Sequence, residues 1–224
     1  MTSPPPLLYD TYYHIYNRGN NREDIFIQER NYEYFLDLYA KYIGPIAETF
    51  AYCLLKNHFH LLVWIKSELE MIETITNLNA NNKRFKQLGY SYKNRFQSMK
   101  TLDPKFPSQQ FSNFFNAYAK SINKSYNRTG SLFQHPFGRV AIETDHQFWN
   151  VIVYIHHNPQ KHNFVDDFRS WKWSSYGVLY SDNPTILNRA VVMDWFGGRE
   201  EYLNLHKELF YEKETGWLIN GDDD

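Results

Sequence analysis

Two apolar runs, residues 46–55 and 58–65, are separated only by Lys56 and Asn57. Strands so closely joined are most simply an antiparallel hairpin, and the remaining segments must be arranged around it. Residues 12–18 (YYHIYNR) are aromatic and β-branched and stop at Gly19-Asn20-Asn21, the pattern of another strand. Residues 31–43 space Tyr32, Phe35, Leu36, Leu38, Tyr39 and Tyr42 at helical intervals before Gly44-Pro45. A longer helix is predicted over 108–126, where Phe111, Phe114, Phe115, Tyr118 and Ile122 share one face. A short strand follows at 139–143, then a helix from 146 to about 157, capped by Asp145 and closed by Asn158-Pro159. The order β-α-β-β-α-β-α is the ferredoxin-like, split βαβ plan: an α+β fold with an antiparallel sheet and helices on one face. Residues 1–11 read as a tail, 12–180 as the main domain and 66–107 as a part-helical, part-loop insertion. Residues 181–224 read as an extension with a disordered end.

Hydrophobic residues make up 42% of the 224, enough for a packed core and too many for wholesale disorder. The single Cys excludes a disulfide framework and a cysteine-based zinc site. The first six residues lack the basic and apolar regions of a secretory leader, and no apolar run is long enough to span a bilayer. A soluble, cytoplasmic protein with no membrane partner is expected. The net charge of −1 conceals a strong asymmetry. Residues 83–139 hold eleven Lys or Arg against one acid, Asp103, with twelve aromatics among them. Bases stack on rings while phosphates pair with cations, so such a segment suits single-stranded nucleic acid. A solvated basic insertion whose rings fill a core is the plainer alternative.

His58 and His60 lie two apart on a predicted strand, so both imidazoles point to one face and Phe59 to the other. Neutral imidazoles so placed suit a divalent cation, although sheet histidines with structural hydrogen bonds are as common. In the last helix Phe148, Trp149, Ile152 and Ile155 form the apolar face, which leaves Asn150, Tyr154, His157 and Asn158 opposite. On that phase the Tyr154 hydroxyl is presented outward, with Asn158 one turn further along.

Leu55-Lys56-Asn57-His58-Phe59-His60-Leu61-Leu62-Val63 resembles the His-hydrophobic-His strand of the IS200-like single-tyrosine transposases. Residues 154–162 (YIHHNPQKH) resemble the tyrosine helix of their REP-associated branch. Tyr13-His14-Ile15-Tyr16-Asn17-Arg18-Gly19, Gly130-Ser131-Leu132-Phe133-Gln134 and Trp171-Lys172-Trp173-Ser174-Ser175-Tyr176 extend the likeness in order over roughly residues 12–180. The resemblance implies a metal-dependent endonuclease and strand transferase acting on single-stranded, often hairpin, DNA. Tyr154 would be the nucleophile that forms a 5′-phosphotyrosine. His58, His60 and Asn158 would hold Mg²⁺ or Mn²⁺, with His157 an alternative to Asn158. Lys120, Lys124, Arg128, Arg139 and Arg18 are the cations expected on DNA phosphates, in a monomer or a homodimer. Two other readings stay open: a non-catalytic module resembling RNA-recognition domains, and a metal-dependent hydrolase that uses activated water.

Overall fold

Four strands form one antiparallel sheet: β1 (Thr11–Arg18), β2 (Ala47–Leu54), β3 (His58–Ile65) and β4 (Gly138–Ile142). Their order across the sheet, β2-β3-β1-β4, is that of the split βαβ plan. The computed structural model describes residues 4–81 and 101–208; residues 82–100 of the basic insertion and the chain end from 209 lie outside the described residues. Seven α-helices are described: α1 (Glu29–Tyr42), α2 (Glu68–Asn81), α3 (Phe106–Ser125), α4 (Asp145–Lys161), α5 (Tyr176–Tyr180), α6 (Arg189–Phe196) and α7 (Arg199–Glu208).

Strand alternation divides the apolar side chains between two cores. Tyr13 and Ile15 of β1, with Phe59, Leu61, Val63 and Ile65 of β3, face α1, α2 and α3. Phe35 of α1 and Phe114 of α3 meet there with ring centroids 4.7 Å apart. Burying one such ring contributes about 1.5–3 kcal/mol, and rings are a large part of this core. On the other face Phe50, Ala51, Cys53 and Leu62 pack under α4, which is in turn covered by α5, α6 and α7. The α+β class and the antiparallel sheet match the expectation from sequence. The single layer of helices holds for α1 to α3 only. The periodicity of α4 showed the side that meets the sheet. It did not show that the remaining side would be covered by residues 168–206.

The ends of α4 also differ from expectation. Thr144, not Asp145, is the N-cap: its Oγ1 accepts from the Gln147 amide at 3.2 Å, and Gln147 Oε1 accepts from the Glu143 amide at 2.8 Å. The helix does not stop before Pro159. It continues to Lys161, and the His162 amide donates to the Asn158 carbonyl at 3.0 Å. Pro159 removes one donor, while the Asn158 side chain donates to the Tyr154 carbonyl at 2.9 Å and secures that turn. The chain therefore stays helical beyond its expected end at His157, and the turn that carries Lys161 remains aligned with Tyr154 instead of being released into a loop.

A candidate metal and tyrosine centre

The second face of the sheet brings together side chains from three elements. From β1 come His14, Tyr16 and Arg18; from β3, His58 and His60. Tyr16 is the register partner of His60, and Arg18 that of His58. His14, His58 and His60 are all buried. The rings of Tyr16 and His60 stack with centroids 6.0 Å apart, and those of His14 and Tyr16 lie 5.1 Å apart. The ring of Tyr16 lies across the backbone of Gly138, its partner on β4; a Cβ at Gly138 would stand 2.2 Å from it.

Above this cluster sits α4. Tyr154 does not present its side chain outward. It is buried, edge-on to His60 at 5.4 Å and to His14 at 5.9 Å between ring centroids. The predicted helix phase was right about which residues Tyr154 accompanies and wrong about what lies opposite the apolar stripe. α4 has apolar neighbours on two sides, and between them Tyr154 faces the histidines. Lys161 lies seven residues on, its Nζ 5.3 Å from the centre of the Tyr154 ring. His162 packs edge-on against His58 at 4.7 Å. Asn158 is fully buried between those two turns, and its Oδ1 has no hydrogen-bond partner among the described residues. His157 is turned elsewhere: its ring lies against Phe168 and its Nε2 donates to the His206 carbonyl at 2.8 Å.

The electrostatics favour neutral imidazoles. Burial, reinforced by His14, His162, Arg18 and Lys161, holds the His60 ring well below the usual histidine range. A neutral ring keeps a lone pair for a ligand. The Nδ1 of His58 lies 2.7 Å from Asn57 Oδ1, an acceptor, which sets the proton on Nδ1 and leaves Nε2 as the donor of a lone pair. Among the described residues no group of three or more His, Cys, Asp or Glu is arranged to hold a metal ion. The donor set on offer is two imidazoles and one amide oxygen. Such a mixed nitrogen and oxygen set fits a divalent cation such as Mn²⁺ that completes its shell with water or phosphate oxygens.

The basic residues are distributed less tightly than the sequence suggested. Lys120 lies on α3, where it lines a cavity of about 260 Å³ with Asn116, Asn123, Ser131 and His135. Arg128 lies beyond the end of α3, so it does not continue the helical row of Lys120 and Lys124. It pairs instead with Glu23 and with Asn123 Oδ1, the latter at 2.8 Å. Arg139 pairs in register with Ile15 and so lies toward the first core, over the Phe137 ring at 3.8 Å and bonded to the Pro5 carbonyl. Arg18 alone of the five belongs to the histidine face, among the cations acting on His60. Sequence reasoning missed His14, Tyr16, Lys161 and His162 as members of the centre. The signal for the first two was period-two spacing on β1, and for the others the seven- and eight-residue steps from Tyr154.

No family model matches the chain. A curated protein of Haemophilus influenzae, named "Putative REP-associated tyrosine transposase", is 27% identical over 131 residues, which is 58% of this chain. The match spans the same share, 58%, of that relative's own length. Among solved structures, one titled as the REP-associated tyrosine transposase bound to a REP hairpin superposes with a TM-score of 0.53. It covers 80% of this chain and 83% of its own at 15% identity, a likeness of fold. The resemblance first read from the motifs is thus met again in a curated relative and in a shared fold. No described helix is long and apolar enough to cross a membrane.

Proposed function

We propose that this chain cleaves and rejoins single-stranded DNA beside a hairpin, with Tyr154 as nucleophile and a divalent cation held by His58, His60 and Asn158. The observation that carries this reading is the position of the Tyr154 ring, edge-on to His60 at 5.4 Å and to His14 at 5.9 Å, on the sheet face that also carries His58 and Arg18. A tyrosine used only for packing needs no such company.

In the proposed step the Tyr154 oxygen attacks phosphorus in line. A phosphorus–oxygen bond forms to the tyrosine as the bond to the 3′ oxygen breaks, and the departing strand takes up a proton to leave as a 3′-hydroxyl. The phenol gives up its own proton to solvent. A phenol with an ordinary pKa near ~10 needs help to react at neutral pH. Lys161, beside the ring, stabilises negative charge as it develops on the phenol. Bound to the two histidines, the cation would supply charge stabilisation on a non-bridging phosphate oxygen. Arg18, the register partner of His58, would hold the phosphate on the same face. The covalent linkage keeps the energy of the broken phosphodiester, so rejoining needs no nucleotide cofactor.

The test is adduct trapping with a panel of hairpin single strands and Mn²⁺. The wild-type chain should give a denaturant-resistant protein–DNA species. Tyr154→Phe, which removes one oxygen and keeps the ring, should bind the same DNA and form none. Cleavage by Tyr154→Phe at the wild-type rate would assign the attack to water and overturn the reading.

A further inference from the structure

The chain holds the inner nitrogen of each candidate ligand histidine. For His58 the holder is Asn57, and for His60 it is another histidine from the neighbouring strand. His14 Nε2 lies 3.0 Å from His60 Nδ1, and the two rings are nearly parallel, with 20° between their planes. Resting on the proposed function, we infer that His14 is a positioning residue for the metal centre: it accepts the Nδ1 proton of His60 and thereby aims the Nε2 lone pair at the cation.

The argument is one of proton count. A neutral imidazole has one N–H, so a bond between two such rings has one donor and one acceptor. If His14 donates, the proton of His60 sits on Nε2, and that nitrogen cannot ligate. If His60 donates, its Nε2 carries a lone pair, as that of His58 does beside Asn57. Only the second assignment presents both Nε2 atoms as ligands from one face of β3. His14 is fully buried on β1, so its ring has little freedom to turn away from that role. Its chemical type matters as well. A carboxylate would orient His60 equally well, but its negative charge would offset part of the cation's pull on a phosphate. A neutral imidazole orients the ligand and leaves the charge of the site intact.

Substitution by Phe keeps a ring and removes the acceptor, whereas Gln keeps an acceptor in its Oε1. Mn²⁺ affinity of the full chain, measured by calorimetry without DNA, should fall roughly 10–100-fold in His14→Phe, the usual cost of losing such an outer partner. His14→Gln should stay close to wild type. Hairpin binding in the presence of a chelator should be the same in all three. Should His14→Phe fail to fold, ¹⁵N NMR of the Mg²⁺-saturated wild-type chain decides the matter: the proton belongs on His60 Nδ1, with His14 Nε2 bare. Equal Mn²⁺ affinity in wild type and a folded His14→Phe, or a protonated His14 Nε2, would overturn the inference and leave the proposed function standing. A wild-type chain that binds no Mn²⁺ would overturn both.

Discussion

Gly138 is the residue whose absence of a side chain the centre uses most directly. The Tyr16 ring occupies the space a Cβ would need, and Tyr16 in turn stacks on His60 and lies tilted against His14. Gly138→Ala should therefore act at a distance from the chemistry. We expect a loss of about 1–3 kcal/mol from overpacking, read as a lower urea midpoint, and a drop in DNA cleavage larger than the stability change accounts for. Cleavage unchanged in a variant that is measurably destabilised would separate Tyr16 from the site. The His-x-His pair was legible in the sequence because strand period alone puts both rings on one face. His14 was not, because its closeness to His60 depends on the register between β1 and β3, which local pattern does not state. Tyr154 was legible by its company and misread in its exposure.

Among the elements, α4 has the more unusual surroundings. On the side away from the sheet, His156, His157 and His206 are buried together. One proton assignment satisfies the chain of bonds. The Tyr52 amide donates to Ser175 Oγ at 2.9 Å, and the Ser175 hydroxyl to His156 Nε2 at 2.7 Å. His156 Nδ1 then donates to His206 Nε2 at 2.7 Å, and His206 Nδ1 to the Tyr202 carbonyl at 2.7 Å. Every ring is neutral in this arrangement. Burial is the main cause that lowers all three, His157 to about 4 and His206 to about 3. In the unfolded chain they titrate near ~6.5. Between those values the unfolded state binds more protons, so stability is complete above about pH 6.5 and is lost as pH falls toward about 4 and then about 3. Urea midpoints measured from about pH 7.5 to about 4.5 should fall with acidification, and His206→Gln should flatten that slope. A midpoint independent of pH would mean these rings are not held neutral by the fold. None of this was readable from the helix pattern, since the partners of α4 come from residues 168–206, beyond the reach of any local periodicity.

At the scale of the whole molecule, the position of α4 between two layers bears on whether a reactive tyrosine can be lent to a second chain. Lending it would require α4 to swing away from its own sheet. Only Glu143 and Thr144 connect β4 to α4, and both are tied into the capping box with Gln147. Departure would also strip Phe148, Val151, Ile152 and Ile155 from Phe50 and Leu62. Losing one large buried ring costs about 3–5 kcal/mol, a large part of a domain's net stability. Each copy should then cut with its own phenol and its own histidines. The check is a mixture of two inactive variants, His58→Ala and Tyr154→Phe. If active sites were shared between copies, mixing would restore cleavage, because one partner supplies the phenol and the other the imidazoles. A self-contained chain predicts that the mixture stays as silent as either variant alone.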